Sequence, residues 1–237
     1  MLTIVGNGPS RLNYNLNELD EWWGCNSIRN DNIPDILFAM DIIVQRDIFK
    51  NEYHKENKVA VGGWEPLEIE HYPMIKMGLE FGFQTLIDNV NQKDDWFIAM
   101  GNDKTMDLIS YSTSQKDNIV IYNYSNLKNL FTGMSALGYA MEQGVSEITL
   151  LGFDALQYGD VSNVYEGTEF YLPKYTNESR VLDAQRSQFI ALLKHYKESK
   201  VFFKNTLDKI ELVEYNKLSY YENSERWILG QGLESEI

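Results

Sequence analysis

The chain has 237 residues, 43% hydrophobic and 13% aromatic, enough to bury a full core in one α/β domain with a modest appendage. A formal charge of −14 disfavours a broad, sequence-independent grip on phosphate polymers. The single cysteine, Cys25, excludes an intramolecular disulfide and a multi-cysteine zinc cluster; with only strand-sized apolar runs and no secretory signal pattern, a cytoplasmic protein without a membrane span is expected.

In chain order, β-branched or aromatic runs predict strands at residues 2–5, 36–40, 59–61, 96–100, 119–122, 148–151 and 201–203, with helical patterns between them. That alternation predicts an α/β fold with one Rossmann-like, doubly wound, mostly parallel sheet, and it places ligands at the carboxyl ends of the strands. The stretch "TGMSALGYAMEQG" reads as an amphipathic helix with Thr132 as N-cap and Gly144 as the residue after its end. Residues 158–177, rich in Tyr, Gly and Asn without a sustained period, read as a long loop or lid. A second helix from Arg180 leads into the last predicted strand. The expected body is residues 1–210, followed by an extension, 211–237, whose Trp227 and Ile228 pack back. Lys194, His195, Lys197, Lys200 and Lys204 read as a solvated face rather than a nucleic-acid surface.

The turn Gly6-Asn7-Gly8-Pro9-Ser10 directly follows the first strand, an arrangement that lets backbone approach a phosphate. A dinucleotide fingerprint needs a third glycine three residues on, and a P-loop needs Gly-Lys-Ser/Thr; neither is present. What the turn offers is the amide of Asn7, with donors and acceptors, followed by a proline that preorganises a helix start and by Ser10. A second amide, Asn26, follows another apolar run, and Asp41 closes "DILFAMD". No Asp-x-Asp triplet is available to chelate a metal, and Asp94-Asp95 lies at the wrong end of a predicted strand. The histidines, His54, His71 and His195, read as structural or exposed.

The blocks "IVGNGPS", "WGCNSI", "ILFAMDIIVQ", "FTGMSALGYAMEQGVSEITLLGFD" and "YLPKYTN" together resemble the bacterial sialyltransferases of glycosyltransferase family 42, in order and approximate spacing over residues 1–205. The resemblance implies a sialyltransferase-like fold, a GT-A variant with a lid, that transfers sugar from a CMP- or UDP-sugar cosubstrate with inversion and without metal or other cofactor. It also implies that Asn7 and Asn26 contact the nucleotide, that Gly8 allows close backbone approach, and that Thr132 and Gly133 stand at the family's Ser-Gly position; Gly6, Pro9 and Ser10 join this seat on the reading of the turn itself, in which Ser10 either bonds a phosphate or supports the helix's first turn. Gln45 matches a donor-contacting glutamine, Asp41 replaces an asparagine near the sugar, and Asp154 closes the Gly-hydrophobic-Asp segment. Tyr158, Tyr165 and Tyr171 fall on the lid, where family tyrosines neutralise the leaving phosphate. The family often forms tetramers, so a homo-oligomer is among the expected partners. Similar enzymes occur in phages that glycosylate their own DNA bases, so the expected acceptor is a glycan or a hydroxymethylated base.

The departures concern catalysis. The family's general base is a histidine in a Tyr-x-Gly-His block, where this chain has Tyr171-Leu172-Pro173-Lys174. Lys174 acts as a base only with a lowered pKa; otherwise it holds the donor while Asp41, Asp154 or Glu178 takes the proton. A carboxylate at position 41 favours a neutral sugar over sialic acid. Two other readings stay open: a catalytically silent nucleotide-binding module, and a pyrophosphate-transferring enzyme with magnesium on Asp41 and Asp154.

Overall fold

The computed structural model describes residues 1–71, 73, 84–91, 93–101, 105–123, 130–171 and 178–221. Chain contacts divide it into two compact units, Met1–Phe38 with Tyr124–Ile237, and Ala39–Asn123. In chain order the first elements are β1 (Leu2–Val5), β2 (Trp22–Cys25), β3 (Ile36–Ala39), α1 (Ile42–Lys50), β4 (Val59–Val61), β5 (Glu65–Leu67) and β6 (Gln84–Asn89). There follow β7 (Trp96–Gly101), β8 (Thr105–Tyr111), β9 (Ile119–Ile121), α2 (Thr132–Glu142) and β10 (Glu147–Leu151). The chain continues through α3 (Asp154–Gln157), α4 (Glu178–His195), β11 (Lys200–Lys204) and β12 (Ile210–Leu212).

In the first unit the strands lie in the order β12-β11-β10-β1-β2-β3, all parallel to their neighbours except the edge strand β12. Continuous apolar runs build this sheet because its inner strands are covered on both faces: Ile4, Val5, Leu37, Phe38, Ile148 and Leu150 are fully enclosed. Helix α2 packs on β1 and β2 through an apolar side that includes Met134, Leu137 and Ala140. It ends in a Schellman turn: Gly144, at φ +75°, donates to the Met141 carbonyl, and Val145 donates to that of Ala140. The helix start differs from the sequence reading by one residue. Phe131 occupies the N-cap without a side-chain bond, and Thr132 is the first helical residue, which leaves its hydroxyl for another partner.

From β1 the chain moves to β2 and β3 on one side, while β10 and β11 lie on the other. The order therefore reverses between β1 and β10, and in α/β sheets such a reversal opens a crevice beyond the carboxyl ends of the strands.

The second unit contains the parallel pair β4–β9 and a four-stranded sheet in the order β5-β7-β8-β6. Residues 96–100, expected in the parallel sheet, form β7 here, antiparallel to both β5 and β8. The reason is connection length: β7 ends at Gly101 and β8 begins at Thr105, too close for the crossover that a parallel pair requires. Phe49, Val61, Trp64, Ile98, Ile109 and Tyr111 form this unit's core. His54 sits edge-on to Phe49 at 4.9 Å, and burial pushes its pKa down to about 4, which makes it a neutral core imidazole.

The segment after residue 210 opens as β12, paired with β11; Trp227 and Ile228 lie outside the described residues. Three of the late lysines have local partners: Lys194 lies over the Tyr221 ring, Lys200 faces Glu147, and Lys204 pairs with Asp208. Among the described residues no helix is long and apolar enough to cross a membrane.

Candidate functional site

The turn after β1 and the turn after β10 are stitched together. The N–H groups of Gly6 and Gly8 donate to the carbonyls of Leu151 (2.8 Å) and Gly152 (2.9 Å). A Cβ on Gly6 would stand 2.5 Å from the Gly152 carbonyl oxygen, and one on Gly8 would stand 1.8 Å from Asp154 Oδ2. The close approach these glycines allow is thus between two strand ends, and their amides are spent there. Pro9 opens a short 3-10 helix, Pro9–Asn13, where its missing N–H costs nothing. Ser10 donates its hydroxyl (2.9 Å) and its N–H (3.3 Å) to Asp154 Oδ2. Gly6, Gly8, Pro9 and Ser10 therefore form the cradle of a buried carboxylate. Burial pushes the Asp154 carboxyl above the usual carboxylate range, and the Ser10 bonds oppose that shift. Gly8→Ala is expected to cost about 1–3 kcal/mol through overpacking, read as a lowered Tm. An unchanged Tm would mean that the two turns can part freely.

Beside the cradle runs a polar rim. Asn7, at the end of β1, donates Nδ2 to the Cys25 carbonyl (3.1 Å), while its Oδ1 is enclosed with no partner among the described residues. Asn26, directly after β2, holds φ +52°, a left-handed conformation that asparagine tolerates better than most residues. Strain of this kind concentrates at functional sites. Thr132 at the start of α2 donates its hydroxyl to Asn26 Oδ1 at 3.1 Å. Gly133, next along, faces the ring of Phe153, where an added Cβ would come within 2.8 Å. Elements far apart in sequence, β1, β2, α2 and the β10 turn, thus bring Asn7, Asn26, Thr132, Gly133 and Asp154 to one edge.

Residues 158–171 dock against this edge. The Val164 N–H donates to the Asn7 carbonyl at 2.8 Å. Tyr165 is buried, and Arg11 Nη2 donates both to its hydroxyl (2.7 Å) and to Asp31 Oδ2 (3.0 Å). The Tyr165 hydroxyl in turn donates to Asp31 Oδ2 at 2.5 Å, and Tyr171 stacks on Tyr165 with ring centroids 6.1 Å apart. Burial, then the bond to Asp31, pushes the Tyr165 phenol above its ordinary range. Tyr158 stands in the open at 53% exposure. Arg11 and Asp31 escaped the sequence reading; the one available signal was an arginine placed just after a strand-end turn in an acidic chain.

Two other expected residues belong to the second unit. Asp41 is exposed and directly precedes α1. Gln45 is enclosed: Nε2 donates to the carbonyls of Ala39 (2.8 Å) and Gly62 (3.1 Å), and Oε1 accepts the Trp64 indole N–H (2.8 Å). Its amide is thus committed to that unit's interior. Lys174 lies outside the described residues, and Glu178 opens α4. Among the described residues, no group of three or more His, Cys, Asp or Glu is arranged to hold a metal ion.

No protein-family model and no curated protein matches the chain. Among solved structures it is similar to the crystal structure of the sialyltransferase CST-II in complex with a trisaccharide acceptor and CMP, with a TM-score of 0.42 and 12% identity over 86% of this chain and 80% of that one.

Proposed function

We propose that the chain is a glycosyltransferase that moves a sugar from a nucleotide-sugar donor to an acceptor hydroxyl. The observation that carries this reading is the rim of Asn7, Asn26 and Thr132 beside the point where the strand order reverses. Amides both donate and accept, so this rim suits ribose hydroxyls and phosphate oxygens together, and the first turn of α2 adds N–H groups directed at an anion. The five sequence blocks that resemble family 42 enzymes support the same assignment.

In the proposed reaction the acceptor oxygen attacks the anomeric carbon opposite the departing phosphate, which inverts that centre, and the hydroxyl proton passes to a carboxylate. Asp154 is our candidate base, since burial raises its proton affinity. Tyr171 and Lys174 are candidates to neutralise the leaving phosphate, so no metal ion takes part in the scheme. The surplus of negative charge favours a glycan acceptor over a base in DNA.

Nucleotide binding tests the reading first. CMP or UDP should raise Tm, because a ligand bound by the native state at 100 times its Kd adds about 2.7 kcal/mol of stability. Asn7→Ala should abolish that rise while lowering the unliganded Tm only by the loss of the bond to the Cys25 carbonyl, about 0.5–1.5 kcal/mol, and a chelator should leave transfer unchanged. No rise with any nucleotide would refute the seat; loss of transfer in chelator would transfer the case to the magnesium-dependent alternative. One observation favours a silent binding module instead: the Gly6, Gly8 and Ser10 donors are all consumed within the protein. Nucleotide binding without turnover of a panel of nucleotide sugars would select it.

A further inference from the structure

Arg186, in the middle of α4, differs from the cations described above. Arg11 pairs with Asp31, Arg46 with Asp107, Lys204 with Asp208 and Lys217 with Glu214. Arg186 is partly buried, yet it has no carboxylate partner among the described residues, and its Nε is enclosed without a hydrogen bond while its Nη atoms stay open to solvent. The guanidinium lies 4.5 Å over the Tyr220 ring, and Nη2 stands 3.2 Å from where a Cβ on Gly159 would be. The carboxylate next along, Asp160, is committed to the Ser162 N–H at 2.9 Å. A ring face compensates a guanidinium only weakly, and a partly buried charge without a counter-ion is costly. In a chain with 35 acidic residues against 21 basic ones, this isolation points to a counter-ion supplied from outside.

The guanidinium stands between two segments that line one cleft: residues 156–158, directly before Gly159, and residues 217–220. The cleft measures about 470 Å³, within the range of about 300–1,000 Å³ typical of small-molecule sites. Leu156, Phe203 and Leu218 give it apolar surface, and half-exposed Tyr158 gives it an aromatic one. Tyr220 is 6% exposed, and its hydroxyl is enclosed without a partner among the described residues. Burial pushes the phenol's pKa up, so the group stays a donor. Buried polar groups are rarely left unpaired. A guanidinium and a phenol without acceptors, next to apolar and aromatic surface, match an organic anion with an apolar body, and the planar fork of arginine fits a carboxylate or a phosphate. Charge separates those two. Glu211 lines the cleft, Glu214 is bonded to the lining residue Lys217, and the chain carries −14, so a monoanionic carboxylate is favoured over a dianionic phosphate.

We propose that Arg186 and the Tyr220 hydroxyl bind the carboxylate of a small organic anion whose apolar body lies in this cleft, a second ligand site separate from the rim of Asn7, Asn26 and Thr132. The test uses the full chain and benzoate, with benzamide as the neutral isostere and phenyl phosphate as the dianion, and follows binding by saturation-transfer NMR. Wild type should bind benzoate, bind phenyl phosphate more weakly and fail to bind benzamide. Arg186→Met should weaken benzoate binding about tenfold or more, the scale of one lost bond to a charged group. Arg186→Lys should recover only part of it, because an ammonium lacks the fork. Ser219→Trp, which fills the cleft, should weaken it as well. The comparison of the three probes needs no variant, so it decides even where a substitution disturbs folding. Four results would overturn the proposal: no benzoate signal from wild type at millimolar ligand, equal binding of benzamide, tighter binding of phenyl phosphate, or wild-type benzoate affinity in either Arg186→Met or Ser219→Trp. The CMP-induced Tm rise should be the same in Arg186→Met as in wild type; its absence from both would count against the glycosyltransferase reading alone, since the benzoate signal decides this site independently.

Discussion

Asp154→Asn is expected to cut sugar transfer by about 10²–10⁴-fold while leaving the protein at neutral pH no less stable than wild type. The substitution is nearly isosteric: an amide oxygen in the place of Oδ2 still accepts from the Ser10 hydroxyl and N–H and still fits against Gly8. What disappears is a charge held in a buried place. Burial raises the Asp154 pKa in the folded state, so the stability this group contributes is fully present below the ordinary aspartate value and is lost as pH rises through the raised value. Wild type therefore bears the cost of the charge at neutral pH and sheds it on acidification, whereas the variant bears none. Thermal melts of the two proteins between neutral pH and about pH 4 should accordingly converge from a variant that starts equal or higher. A residue that lowers stability and supports turnover is the usual signature of a functional site. A variant that retains full activity, or that is less stable at every pH, would show that Asp154 is a structural strut and that the base lies elsewhere.

Local pattern carried part of this architecture. Residues 2–5 and 59–61 were expected as strands and are β1 and β4 with the same limits, because buried parallel strands have only their own apolar runs to show. Gly144 was legible as a helix stop since its reason, a positive φ, is local. β2, "WWGC", carries two strand-favouring tryptophans, but it is only four residues long and has a glycine inside it, which weakens the signal; Gly24 is needed there because a Cβ would strike Ile28. β8 hides a buried charge, Asp107, whose counter-ion Arg46 comes from α1 at 2.8 Å. The glycines of the first turn were legible as close-approach residues, but not what approaches them. Gly8 meets Asp154, which is reached only through the fold, and Gln45 meets Trp64 in the same way. The rim was visible as Asn7, Asn26 and Thr132 taken separately; the bond that joins the last two spans 106 residues.

The network around Arg11 allows an expectation that reverses the order exposure alone would suggest. Asp31 is the more exposed partner, with 47% of its side chain accessible against 3% for Arg11, yet Asp31→Ala should be the more destabilising change. Removing Asp31 leaves a buried guanidinium without its counter-charge, and its Nε already lacks a partner among the described residues; a lost hydrogen bond to a charged group costs about 1.5–3 kcal/mol. Arg11→Met instead replaces the cation with an apolar chain of similar length, leaves Asp31 free to rehydrate, and keeps its bond from Tyr165. The consequence reaches the rim because Val164, bonded to the Asn7 carbonyl, immediately precedes Tyr165. Once the Tyr165 hydroxyl loses its acceptor and keeps only the bond from Arg11, itself now without a counter-charge, the segment opens more often without global unfolding, and the Val164 amide should exchange hydrogen about 10–100-fold faster in Asp31→Ala. Thermal melts and amide exchange on the three proteins provide the comparison. If Arg11→Met is the worse variant, or if Val164 exchanges at the wild-type rate in Asp31→Ala, the Arg11–Asp31–Tyr165 cluster does not hold residues 158–171 against the rim.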